Sequence, residues 1–140
     1  MEENKGQLTE TEIRTRYITP AIVNSGWNLE DIREEYSFTD GRIIDEGKGK
    51  WHRGERLRAD YLLTYNNKFI AVVEAKDNNH SISFGIQQAI NYAKVLDCPF
   101  AFSSNGDGFI KNVQAFSFFV FKSCKKTFIF FIKILSLSKH

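Results

Sequence analysis

The sequence predicts an α/β (α+β) domain of order α-β-β-β-α-β, with a central mixed sheet flanked by helices. Three observations carry this reading. Residues 57–65 and 68–75 are neighbouring runs rich in β-formers with Asn66-Asn67 between them, which is a hairpin pattern. Residues 9–25 and 82–97 place apolar side chains at helical spacing. A short apolar run at 99–103 then follows the second helix. A strand reached through a helical crossover adds a parallel partner to the hairpin.

The elements follow in order. Thr9 and Glu12 have capping-box spacing at the start of the first helix. Its apolar stripe is Ile13, Tyr17, Ile18, Ala21 and Ile22, and Pro20 should bend or split it. Ser25-Gly26 ends the helix, with Trp27 placed to pack under that end. Residues 30–38 read as a first strand through Ile32, Tyr36 and Phe38. Residues 39–56 read as a glycine-rich loop, locally basic through Arg42, Lys48, Lys50, Arg53 and Arg56, with His52 as a loop histidine. Ser81 or Ser83 can cap the second helix. Its stripe is Ile86, Ala89, Ile90, Ala93 and Leu96, and Pro99 stops it. Residues 105–108 form a turn, so the core should be complete by about residue 104.

Composition narrows the class. The 140 residues suffice for one domain with a real core. All 17 acidic residues lie at or before Asp107, against 13 Lys and Arg there, so this part is net acidic although the chain is formally +2. Any argument for nucleic-acid binding must therefore be local. Cys98 and Cys124 belong to no metal-ligand cluster, which fits a reducing, cytoplasmic setting. The polar N-terminus is not a signal peptide. No GxxxxGK[ST] occurs, so no ATP site is expected in this chain. Residues 110–140 hold six lysines, seven phenylalanines and no acid, and form the second part of the chain after a domain at 1–109. Neither apolar run there reaches the roughly 18 residues of a membrane span. The tail reads as paired strands, an amphipathic packing segment, or a truncated or frame-shifted continuation.

The chemistry centres on Asp60 and Glu74-Ala75-Lys76. If Asp60 and Glu74 stand opposite each other in the hairpin, their carboxylates share a face. A flat two-residue turn at Asn66-Asn67 would instead oppose Asp60 to Val73. The chemistry therefore demands a three-residue loop, Asn66-Asn67-Lys68, or a bulge that makes the same correction. So placed, Asp60 and Glu74, with the Ala75 carbonyl, offer hard oxygen ligands for Mg²⁺ or Mn²⁺. Lys76 shares the face of Glu74 and can hold a water or stabilise transition-state charge. The bland alternative is a solvated strand face, and the spacing alone is common. Against it, the run before Glu74 is wholly apolar, and opposed like charges destabilise a sheet unless something bridges them. Gln88 and Tyr92 share a helix face and could reach the site, although as a pair alone they read as ordinary helix-surface residues. Glu12 either caps its helix or offers a third acid. Arg58, on the expected face of Asp60, and Arg56 could contact phosphate.

The motifs together resemble a known family. Thr11-Glu12, Thr15-Arg16, Gly26-Trp27, Arg58-Ala59-Asp60-Tyr61, Glu74-Ala75-Lys76, Gln88 with Tyr92-Ala93, and Pro99 through Gly106 occur in order. This looks like the N-terminal nuclease domain of the restriction (R) subunit of type I restriction enzymes, over residues 8–109. The resemblance implies a restriction-endonuclease-like PD-(D/E)xK core with Asp60, Glu74 and Lys76 as its catalytic set. It implies Gln88 and Tyr92 as the QxxxY element, and Mg²⁺-dependent cleavage of double-stranded DNA. It also implies methylation and specificity subunits as partners, and a following ATP-driven translocase that this chain would lack. The alternatives are a stand-alone PD-(D/E)xK endonuclease, or a non-catalytic remnant that binds DNA or a partner.

Overall fold

The computed structural model describes residues 6–41, 43–45 and 51–113, and only the backbone of 43–45 and 51–53. The expectations for Arg42, Lys48, Lys50 and the tail beyond Val113 lie outside these residues. The described strands are β1 (Ile32–Thr39), β2 (Ile43–Asp45), β3 (Trp51–Arg53), β4 (Arg56–Tyr65), β5 (Lys68–Ala75), β6 (Phe100–Ser104) and β7 (Phe109–Val113). The described α-helices are α1 (Glu10–Ile13), α2 (Thr19–Asn24) and α3 (Ile86–Leu96). One mixed sheet has the order β1-β4-β5-β6-β7. Only β5 and β6 run parallel within it, and α3 joins them. The mixed sheet and its helical crossover are as the sequence predicts. β2 and β3 pair as a separate small hairpin, where the sequence suggests only loop. Three-residue strands are too short to show a period. β7 extends the sheet to Val113, past the expected end of the core.

The first helix is one helical run with an unexpected middle. α1 passes into a π segment (Arg14–Ile18) and then into α2. The Thr19 N–H reaches back five residues to the Arg14 carbonyl. Pro20 has no N–H to give the ladder, and the wider turn lies just before it. The buried residues are Ile13, Ile18 and Ile22. A regular α-helix would not place the i and i+5 pair on one face, and the π turn does. These isoleucines pack with Trp27, Tyr61, Leu63, Val73 and Phe102 on one side of the sheet.

The other side of the sheet holds α3. Its buried residues are both alanines, Ala89 and Ala93, set against Leu62, Val72 and Ala101. Small side chains let the helix axis approach the strands closely. The helix begins at Ile86, with Gly85 before it and no side-chain cap, so neither Ser81 nor Ser83 serves as one. It ends at Leu96, ahead of Pro99, because Asp97 turns left-handed at φ 55°. No helix among the described residues is long and apolar enough to cross a membrane.

The β4–β5 turn is the short one. Asn66 and Asn67 both have positive φ, 48° and 60°, as a two-residue hairpin turn requires. Non-glycine residues carry a steric cost there. Asn67→Gly should therefore stabilise the domain by up to about 1 kcal/mol, relief of the positive-φ cost outweighing glycine's extra unfolded-state entropy. Urea unfolding of the two proteins measures this directly; a loss of stability would contradict the turn geometry.

Candidate active site

Two irregularities in the sheet build the site. Tyr65 pairs Lys68 and Thr64 pairs Phe69, but Leu63 pairs Ala71. Ile70 is thus an extra residue, a β-bulge. Ile70 and Ala71 both join the Trp27 side of the core, while Phe69 and Val72 face α3. After the bulge, Tyr61 opposes Val73, so Asp60 comes opposite Glu74. The correction demanded by the chemistry is present, made by a bulge rather than by a longer loop.

The second irregularity lies between β1 and β4. Glu34 pairs Tyr61 and Tyr36 pairs Ala59, while Glu35, at φ 51°, and Asp60 fall between. Tyr61 packs on the Trp27 side, whereas Ala59 packs on the α3 side. The strand thus changes face at Asp60. Its N–H donates to Glu74 Oε1 at 3.2 Å, and Asp60 Oδ2 accepts from the Ala75 N–H at 2.8 Å. Each carboxylate is tied to the backbone of the opposite strand.

This pairing is electrostatically uncomfortable. Glu74 is 1% exposed. Burial, and then the neighbouring Asp60, hold its carboxyl well above the ordinary carboxylate range. Lys76 pulls the other way, as a smaller influence. Each acid has one oxygen engaged with backbone, and the two carboxyls also hydrogen-bond to each other. Two acids that can both ionise here only at a cost suit a hard divalent cation, which would replace the proton that Glu74 keeps. Asp60, Glu74 and the Ala75 carbonyl would be its protein ligands. Among the described residues, no three His, Cys, Asp or Glu side chains form a complete metal cage. Water and substrate oxygens would have to fill the remaining positions, as is usual for Mg²⁺.

Lys76 is held from α3. Its Nζ donates to Gln88 Oε1 at 3.4 Å, and Gln88 Nε2 donates to Tyr92 OH at 2.9 Å. Phe38 meets the Tyr92 ring edge-on at 5.2 Å. The relay from Lys76 through Gln88 to Tyr92 joins three residues that the sequence singles out. Two further residues set it up: Gly85, which carries no sequence signal, and Ser103, which the sequence shows only as part of the Pro99–Gly106 run. Gly85 N–H donates to the Oγ of the buried Ser103 at 3.1 Å. A Cβ on Gly85 would stand 2.8 Å from that Oγ and 3.2 Å from Lys76 Cε. Only glycine lets the helix start this close to the lysine.

Of the two roles open to Glu12, the structure shows the cap. Glu12 completes the capping box: Thr9 Oγ1 accepts from the Glu12 N–H, and Glu12 Oε2 accepts from the Thr9 N–H. It also lies 3.6 Å from Arg16, on the exposed side. Glu10 instead feels Asp60, Lys76 and Asp77, and burial followed by Asp60 raises its carboxyl above the usual range. Arg14 lies beside it, its Nη2 3.5 Å from the Asp60 carbonyl and its guanidinium 5.0 Å from the Tyr61 ring centroid. Glu12 fits the cap so well that the sequence draws attention away from Glu10. Arg56 and Arg58 are exposed on β4 opposite Thr39 and Ser37. The face change at Asp60 breaks the simple alternation that linked Arg58 to it. Cys98 is buried, and burial pushes its thiol up to about 12, so it is no nucleophile.

The raised Glu74 carboxyl has a consequence for stability. Its folded pKa lies above the unfolded value near 4.5, so the folded state keeps a proton that the unfolded state releases. That contribution is complete below the unfolded value and is lost as pH rises towards the folded one. In EDTA, the domain should weaken from about pH 5 to about pH 8. Glu74→Gln should remove most of this slope and gain about 1–3 kcal/mol at the upper pH. Denaturant melts at the two pH values test it; parallel pH profiles for parent and variant would contradict it.

Comparison with known proteins agrees with this architecture. Residues 47–98 match the family model described as the second domain of the type I restriction enzyme EcoKI endonuclease subunit. The type I restriction enzyme EcoAI endonuclease subunit of Escherichia coli is 46% identical over 111 residues, covering 78% of this chain and 14% of that protein. A solved fragment assigned to an HsdR subunit of a type I restriction enzyme from Vibrio vulnificus YJ016 is 44% identical. It superposes with a TM-score of 0.63 over 76% of this chain and 21% of that one. The chain thus spans a small part of the relatives that it matches. On these similarities it belongs to the family of type I restriction enzyme endonuclease subunits.

Proposed function

We propose that this chain carries a PD-(D/E)xK nuclease centre that hydrolyses DNA phosphodiester bonds with a divalent cation, Mg²⁺ by preference. The observation that carries the reading is the opposed pair Asp60 and Glu74, locked to each other's strands, with Lys76 clipped beside them to Gln88. An ordinary sheet face does not pair two carboxylates in this way, because the repulsion is uncompensated. Membership in a family of restriction endonuclease subunits supports DNA as the substrate.

The residues have separable tasks. Asp60, Glu74 and the Ala75 carbonyl would hold the cation. When bound, it supplies charge to the phosphate oxygens and lowers the pKa of water. Lys76 is free to place its remaining ammonium protons on the attacking water or on a phosphate oxygen, since Gln88 engages it on one side. Tyr92 orients the Gln88 amide so that its oxygen faces the lysine. Glu10, close to both Asp60 and Lys76, is a third acid able to order water at the same mouth. Hydrolysis breaks the P–O bond to the leaving nucleotide and joins the water oxygen to phosphorus. Selection of sites and translocation along DNA would depend on methylation and specificity subunits and on other parts of the full-length relatives.

Supercoiled plasmid with Mg²⁺ or Mn²⁺ tests this reading. The parent should nick or linearise it, and EDTA should stop the reaction. Lys76→Ala should lower the rate about 100-fold or more while leaving the melting temperature within a few degrees. A folded parent that leaves plasmid intact in both metals would favour the non-catalytic, binding-only alternative.

A further inference from the structure

The segment that leaves the site at Lys76 and returns to it at Gly85 is built with more care than a connection needs. Asp77 Oδ1 binds His80 Nδ1 at 2.8 Å and also accepts from the Asn79 N–H at 3.0 Å. The His80 carbonyl accepts from Nδ2 of the buried Asn105 at 2.7 Å. Asn78 accepts from the Leu8 N–H at 3.0 Å and donates to the Gly6 carbonyl at 2.9 Å. The segment is thus tied to residues 6–8 and to the turn after β6. What this frame presents is aromatic. The His80 and Phe84 rings lie 4.1 Å apart at 37°. Phe84 is 60% exposed and belongs to neither buried cluster. The ring pair leaves Phe84 an exposed aromatic face, which a second flat ring can stack on.

We propose that His80 and Phe84 form a stacking platform for an unpaired DNA base next to the cleaved phosphate. The proposal rests on the nuclease reading above and adds the kind of DNA that the site takes. Phe84 adjoins Gly85, whose own Cβ position would be 3.2 Å from Lys76 Cε and 3.4 Å from Glu74 Cβ. A phosphate held at Lys76 would set a neighbouring nucleotide within reach of the segment that carries Phe84. Aromatic rings take bases by their faces regardless of sequence. His80 backs the Phe84 ring, and Asp77 and Asn105 fix His80, so the platform is set before DNA arrives. A base held in a continuous duplex has its faces covered by its neighbours. Frayed, displaced or single-stranded DNA does not. The site should accordingly prefer DNA with unpaired bases at the cut.

The test uses the full chain in Ca²⁺, with fluorescein-labelled thymidine oligomers of about 12 nucleotides and a blunt duplex of about 20 base pairs. Phe84→Ala should bind the single strand about tenfold or more weakly than the parent, and the duplex with less change. Phe84→Trp should bind as the parent does, and the emission of the introduced indole should be quenched by an unlabelled single strand. Equal binding by parent and Phe84→Ala, or unquenched emission from the introduced indole, overturns the platform. If the parent still cleaves plasmid in that case, the nuclease reading survives alone. A parent that neither binds nor cleaves DNA overturns both.

Discussion

Two acids meet on opposed strands, and the sheet tolerates them because each is bonded to the other strand's backbone and burial keeps Glu74 protonated. Asp60 gives its N–H to Glu74, and Glu74's neighbour Ala75 gives its N–H to Asp60. These side chains stand where ladder hydrogen bonds would otherwise run. The rest of the fold serves this exchange. The bulge at Ile70 supplies the register, since a one-residue slip would send Glu74 to the opposite face. The face change at Glu35 and Asp60 lets Tyr61 stay in the core while Ala59 turns towards α3.

The second constraint is distance. α3 touches the sheet through alanines and begins at a glycine whose N–H is held by Ser103. Ser103 pairs with Glu74 in the parallel ladder, so one serine registers the helix to the acid. Close approach is what lets Gln88 meet Lys76. The π turn makes a matching adjustment on the other side, where Ile13, Ile18 and Ile22 share one buried face. Arg14 begins that turn and reaches the Asp60 carbonyl. π turns inside helices recur near functional sites, and this one is bonded directly to the backbone of the candidate site.

Much of this is legible in the sequence. The hairpin and the crossover follow from periodicity, the meeting of Asp60 and Glu74 from the demand that two acids share a face, and the grouping of Gln88 and Tyr92 with them from the family resemblance. The bulge is foreseeable as a requirement but not as a position, because Ile70 and Ala71 look like any other apolar pair in a strand. Helix α3 begins late because close packing at Gly85 outweighs the capping offered by Ser81 or Ser83. Glu10 belongs to no motif, so its nearness to Asp60 and Lys76 is not legible beside the capping box of Thr9 and Glu12. Ser103 reads as a buried strand residue until its bond to Gly85 is seen.

The central claim is that Asp60 and Glu74 form a cation site created by strand register. Melting temperature near pH 8 against added Mg²⁺ or Ca²⁺, for the parent and Asp60→Asn, tests it most directly. A cation that binds only the folded state at about 100 times its Kd adds about 2.7 kcal/mol, several degrees in a domain of this size. The parent should show that rise and Asp60→Asn should not. Equal shifts in both proteins, or none in the folded parent, would contradict the account.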